Sequence, residues 1–207
     1  MQVTLQQAGK VFGREIVFRG LDHVFAPGSR TVVLGPNGSG KSTLLQVVAG
    51  AITPSTGRVE HLLHGSVVDP DQVYRHVSIA APYLGLYEDL SLAETVETHQ
   101  RFKPLRMGLG VRDLARIAYL DQALDKPVRN FSSGMKQRLK LALAILSDTS
   151  LLLLDEPASN LDAEAVNWYQ RLLDDHLDAR TLLVCSNRQP AEHDRCDREL
   201  DIAHWKG

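Results

Sequence analysis

An α/β fold built around a parallel sheet is predicted by three features of this 207-residue sequence. Strand-like and helix-like stretches alternate along the chain, the pattern of parallel strands joined by crossover helices. The run Leu151–Leu154 is uninterruptedly apolar, as a strand buried on both faces must be. The glycine-rich stretch Gly35–Thr43, GPNGSGKST, sits between the strand-like run Thr31–Leu34 and the helix-like run Leu44–Ala49.

Taken in order, Val3–Leu5, Ile16–Phe18 and Val24–Phe25 read as short strands separated by turns. Thr31–Leu34 is a strand, and Pro54–Gly57 ends the helix that follows the glycine-rich loop. Gly57–Ile79 alternates loosely, which predicts further short strands. From Leu92 to Leu146 the spacing turns helical. Candidates are the stretch holding Thr95, Val96, His99 and Phe102, the stretch Val111–Leu120, and the stretch Met135–Leu146. Leu151–Leu154 is strand, Ala163–Leu177 helix, and Thr181–Cys185 strand again. No internal repeat or low-complexity segment interrupts the pattern.

Bulk properties exclude several classes of function. A net charge of −2 and a pI near 6.4 give no global attraction to nucleic acid or to anionic membranes. No apolar run is long enough to span a bilayer, and the N-terminus carries no signal-like apolar region. Cys185 and Cys196 fit no metal spacing and read as thiols of a reducing, cytoplasmic compartment. His61, His64, His99 and His193 share no ligand spacing, so surface or capping roles are expected. Arg101, Lys103, Arg106, Arg112 and Arg116 make a locally basic stretch, read as a solvated face, with contact to lipid headgroups or a membrane partner as the alternative.

The chemistry lies in three stretches. Gly35, Gly40, Lys41 and Ser42 fit G-x-x-x-x-G-K-[ST], the phosphate-binding loop. In the loop of Gly35, Pro36, Asn37, Gly38, Ser39 and Gly40 the glycines let successive N–H groups, Pro36 having none, converge on one anion, and the following helix favours negative charge at its start. Lys41 would reach the β- and γ-phosphates, and the hydroxyl of Ser42 suits Mg²⁺. Asp155 and Glu156 end a buried strand, at the sheet edge where ligands of open α/β sheets bind. Asp155 can hold Mg²⁺, and Glu156 can take a proton from an attacking water. Asn130–Arg138 is a helix start, with Ser132 or Ser133 as the cap and Gly134 exposing backbone N–H groups.

Together these stretches resemble the ATP-binding cassette (ABC) ATPase family, in the right order and over nearly the whole chain. FSSGMKQR resembles the family's signature motif, and Ser159–Asp162 resembles its D-loop. Phe12 stands where the family carries an aromatic that stacks on adenine; a core Phe is the other reading. The resemblance implies a P-loop NTPase with a RecA-like parallel-sheet core, an antiparallel β subdomain and an inserted helical subdomain. It also implies a single domain over 1–207, with 1–82 and 132–207 as nucleotide-binding core and β subdomain, and 83–131 as the helical subdomain. The implied activity is ATP hydrolysis with Mg²⁺, in a subunit of a bacterial-type ABC transporter. Two cassettes, identical or different, would sandwich two ATP. Ser132, Ser133, Gly134 and Asp162 would face the nucleotide of the partner, Gly35–Thr43 that of the chain itself. Separate transmembrane subunits are implied, with the cassette peripheral on the cytoplasmic face; nucleic acid is not expected. The chain ends at Gly207, just past the strand read as last in the core, which leaves no room for a regulatory domain.

The sequence departs from the family pattern at three positions. Pro82 stands at the usual Gln after the strand that follows the β subdomain, Asn187 at the usual His after the last core strand, and Ser133 at a usual Gly. Proline can neither ligate Mg²⁺ nor hold a water, and asparagine carries neither proton nor charge. ATP binding with slow or partner-dependent hydrolysis is the expectation. A non-transport ABC ATPase, or a weakly hydrolysing ATP-dependent switch, is the alternative.

Overall fold

The computed structural model describes residues 1–187 and 189–206. Two sheets organise it. The first is antiparallel and holds β1 (Gln2–Phe12), β2 (Glu15–Phe25), β4 (Thr56–Leu63) and β5 (Ser66–Val67), in the order β2-β1-β4-β5. The second holds β3 (Arg30–Leu34), β6 (Val77–Ala80), β7 (Leu151–Asp155), β8 (Thr181–Ser186) and β9 (Arg198–Asp201), in the order β6-β7-β8-β3-β9. Every pairing in that second sheet is parallel. This is the α/β architecture the strand–helix alternation predicts.

The apolar run of β7 is explained by what it separates. Leu151 and Leu153 face β1, β2 and α1 (Lys41–Val48), packing with Val3, Leu5, Phe18 and Leu44. Leu152 and Leu154 face the other way, onto α4 (Ser133–Leu146) and α5 (Ala163–His176), with Leu139, Ile145 and Trp168. A strand covered on both faces has no polar side, so alternation disappears. The helices α2 (Leu92–Phe102) and α3 (Val111–Ile117) pack on the same α4 side through Leu92, Val96 and Leu114.

The sequence reading needs correcting at several elements. The three short N-terminal strands are two long ones, β1 and β2, joined at Gly13-Arg14. Register shifts between Leu5 and Val11, with Gln7 at a φ of 48°, break the apolar alternation that would have shown their length. The helix after the glycine-rich loop stops at Val48, before Pro54: Gly50, at a φ of 70°, turns the chain out after Ala49. Thr181–Ser186 is not the last strand. A short helix, α6 (Pro190–His193), and the edge strand β9 follow it. Phe102 is exposed at the end of α2.

The histidines divide. His61 is buried, and its Nε2 donates to the Val48 carbonyl at 2.8 Å, so it caps the last turn of α1 from inside the protein. His99 is bonded to the Ser147 hydroxyl at 2.7 Å and is no surface residue either. Arg106 and Arg116, in the basic stretch, pair with Asp178 and Asp113, so part of that charge is neutralised within the chain. Among the described residues no helix is long and apolar enough to cross a membrane.

Candidate functional site

The carboxyl edge of the parallel sheet gathers the predicted chemistry because β3, β7 and β8 are neighbours and run the same way. Leu34 pairs with Ser186 and Asp155 with Cys185. The loop after β3, the acids ending β7 and Asn187 after β8 therefore meet at one level.

The glycine-rich loop requires its glycines. Gly40 is the N-cap of α1, at a φ of 97°, and a Cβ there would stand 2.6 Å from the Val17 side chain. Only glycine accepts both the backbone angle and the close approach. Ser39 is buried beside Gly35, and its hydroxyl has no partner among the described residues. Pro36, Asn37 and Gly38 are exposed; Ser42 and Thr43 are half-buried at the start of α1.

Lys41 is 5% exposed and folds back over the loop. Its ammonium donates to the Gly35 carbonyl at 2.8 Å, the Pro36 carbonyl at 3.1 Å and the Asn187 amide oxygen at 2.6 Å. The Asn187 amide nitrogen in turn donates to the Glu156 carboxylate. One asparagine thus bridges the loop lysine and the acid after β7. Its two ends are not interchangeable: the oxygen faces the cation and the NH₂ faces the anion.

Glu156 occupies left-handed backbone, φ 47°, which costs a non-glycine residue energy and persists only when neighbours hold it. Its N–H donates to the Cys185 carbonyl at 2.9 Å, and its own carbonyl accepts from Ser159 at 3.0 Å. Asp155 is 3% exposed, with the Ser42 hydroxyl beside it. Burial raises the Asp155 pKa; the Ser42 hydroxyl opposes this, the Glu156 charge adds to it and the Lys41 charge again opposes it. A hydroxyl and a carboxylate side by side are hard oxygen donors, the set that suits Mg²⁺.

Two hollows flank the loop. One, of about 440 Å³, is lined by Phe12, Val17, the loop from Asn37 to Thr43 and Glu156. Phe12 is 52% exposed at its rim, with the Lys10 ammonium 5.0 Å from the ring centre, so it is not a core residue. The second is lined by Gly35, Pro36, Asn37 and Asn187.

The structure does not bring Ser132, Ser133, Gly134 or Asp162 to either hollow. Ser132 caps α4, its hydroxyl accepting from Met135 N–H at 3.2 Å, and Ser132 and Ser133 are exposed. Asp162 caps α5 by accepting from Ala165 N–H at 2.8 Å. Gly134 abuts the Asn160 carbonyl, so the α4 start and the segment after Glu156 form one continuous surface.

Pro82 lies exposed just past β6, offering no polar side chain. Its neighbour Tyr83 was not singled out from the sequence. Burial pushes the Tyr83 pKa to about 12, with Gln46, one turn beyond Ser42 on α1, opposing and the Asp155 charge adding. The i, i+4 spacing of Ser42 and Gln46 was the available signal.

The ABC transporter family model matches residues 18–159. The cytochrome c biogenesis ATP-binding export protein CcmA of Rhizobium meliloti is 32% identical over 185 residues, covering 86% of this chain and 86% of that protein. The sulfate/thiosulfate import ATP-binding protein CysA of Nephroselmis olivacea is 32% identical, covering 99% of this chain and 59% of that protein. Among solved structures, a dimeric bacterial ABC transporter cassette has a TM-score of 0.80 at 22% identity, over 97% of this chain and 95% of that one. A putative ABC transporter ATP-binding protein from Pyrococcus furiosus also has 0.80, at 17% identity, over 100% of both chains. Glycine-rich loop, edge acids and matched span agree: the chain belongs to the ABC transporter family, as an ATP-binding subunit.

Proposed function

We propose that this cassette grips ATP on the Gly35–Thr43 loop and hydrolyses it slowly, because Asn187 ties Lys41 to Glu156. That bridge is the observation that carries the reading. Lys41 must release the Asn187 oxygen to reach the β- and γ-phosphates. The Asn187 NH₂ must then choose between the γ-phosphate and Glu156. Water attacks the γ-phosphorus, its proton passes to the Glu156 carboxylate, and the β–γ bridging oxygen leaves with the bonding pair as ADP. Asn187 can orient this step but cannot carry a proton or a charge through it. Ser42 and Asp155 would hold Mg²⁺, which would supply positive charge against the phosphates. Phe12 supplies a face for the adenine.

The reading extends to assembly. Residues 83–131 act as a helical subdomain beside a nucleotide-binding core formed by 1–82 and 132–207. Ser132, Ser133, Gly134 and Asp162 meet the nucleotide of a second cassette, identical or different, which fits their exposure away from the chain's own loop. Separate transmembrane subunits receive the motion, with the cassette peripheral on the cytoplasmic face. The observed Asn187 bridge equally favours a slow ATP-dependent switch as the working mode.

Equilibrium binding of a fluorescent ATP analogue, with steady-state phosphate release from the purified protein, tests this. Binding that depends on Lys41 together with slow release is the expected result. Absence of binding contradicts the site, and release at the median enzyme turnover of about 10 s⁻¹ contradicts the brake.

A further inference from the structure

One buried carboxylate outside the set above touches both segments that carry the chemistry. Glu192, on α6, is 2% exposed. Its Oε1 accepts from the Ala158 N–H at 3.2 Å, and its Oε2 accepts from the Ser186 hydroxyl. Ala158 is two residues past Glu156, and Ser186 is one residue before Asn187. The backbone of Glu192 is fixed as well: its carbonyl accepts from the fully buried Tyr169 hydroxyl at 3.0 Å.

The other end of the same peptide group is also held. The Pro157 carbonyl accepts from the Gln137 side chain of α4 at 3.0 Å, and Gln137 is buried. The Pro157–Ala158 peptide is therefore bonded through its oxygen to α4 and through its N–H to α6. It cannot rotate without leaving a buried polar group unpaired. Immediately before it stands Glu156, in a left-handed backbone that needs such support.

We infer that Glu192 is a positioning residue for ATP turnover: by joining Ala158 to Ser186, the end of β8, it holds the Glu156 backbone where its carboxylate can take the proton. Gln137 extends the chain of bonds to α4, whose first turn carries the exposed Ser132 and Ser133. Movement of α4 is thereby transmitted to the peptide beside Glu156. This inference rests on the proposed function, in which Glu156 takes the proton.

The test compares Glu192→Ala, Glu192→Gln, Ser186→Ala and Gln137→Ala in the full chain. ATP turnover and ATP-analogue affinity are measured, with amide exchange over residues 157–162. Glu192→Ala is expected to lower kcat by about 10–100-fold with affinity within about twofold, as expected when misplacement affects only the reacting geometry. Glu192→Gln keeps an oxygen for Ala158 and an amide for Ser186, and should recover most of the rate. Exchange at the Ala158 amide should rise in Glu192→Ala and stay low in Glu192→Gln. Turnover equal to the parent's in folded Glu192→Ala overturns the inference, as does a Glu192→Gln variant as slow as Glu192→Ala. If Glu192→Ala does not fold, Ser186→Ala and Gln137→Ala decide: each removes one bond of the clamp, and unchanged turnover in both overturns it. A parent protein without turnover contradicts the proposed function instead. The exchange readout then decides the clamp, and unchanged protection in Glu192→Ala overturns it.

Discussion

At Asn187 a single side-chain amide faces a cation with its oxygen and an anion with its nitrogen. Its polarity is fixed, so it can lock this arrangement and cannot pass a proton across it. An imidazole at the same place can do both, because it changes charge near neutral pH. Asn187→His is therefore expected to raise steady-state turnover by at least about tenfold, within the range proton-handling groups supply. Unchanged or lower phosphate release would contradict the brake. The substitution, and the inability of asparagine to carry a proton, were legible in the sequence; the bridge was not. Lys41, Asn187 and Glu156 lie far apart along the chain, and only the order of β3, β7 and β8 makes them neighbours. Lys41, Ser42, Asp155 and Glu156 were legible, because the glycine spacing and the acids ending an apolar strand are local signals. Tyr83 and Glu192 were not: Tyr83 is brought near Asp155, and Glu192 to Ala158 and Ser186, by the fold alone.

At the scale of elements, legibility follows burial. β3, β7 and β8 and the helices α2 to α5 were found because apolar runs and helical spacing mark buried faces. β9 was missed because its sequence, Arg198-Glu-Leu-Asp201, buries only Leu200 fully at a sheet edge. β1 and β2 were underestimated because bulges break their period. Two predictions belong here. The Ser132 cap of α4 satisfies the Met135 N–H, so Ser132→Ala should lower unfolding free energy by about 1 kcal/mol in denaturant titration. His99, on α2, has its pKa pushed from 6.5 to about 4 by burial, with the Lys103 charge adding. The unfolded chain then takes a proton near pH 6.5 that the folded chain refuses until about pH 4. The contribution of neutral His99 is fully present above pH 6.5 and is lost as pH falls from 6.5 towards 4. His99→Gln should flatten that loss, by up to about 3 kcal/mol. Equal acid sensitivity in the two proteins would refute the assignment.

For the whole molecule, the decisive fact is where the exposed groups lie. The loop hollow opens at Phe12 and Glu156, while Ser132, Ser133 and Asp162 lie away from it, the side chains of Ser132 and Asp162 spent on helix caps. The helix start at Ser132 nonetheless presents free N–H groups to whatever faces it, and a triphosphate on a second copy is a fitting anion. In the proposed head-to-tail pair each helix start would meet the other chain's loop. Nucleotide would then join the two subunits, and loss of the γ-phosphate would loosen them.

Glu156→Gln tests this most directly, because it removes the proton acceptor and leaves the loop, Ser42 and Asp155 intact. Its molar mass in solution would be measured with ATP and Mg²⁺, with ADP, and without nucleotide, alongside its turnover. The account predicts turnover lowered by about 10²–10⁴-fold and a dimer with ATP that dissociates with ADP. A Glu156→Gln protein that binds ATP and hydrolyses it at the parent's rate, or binds it and stays monomeric, would contradict the account.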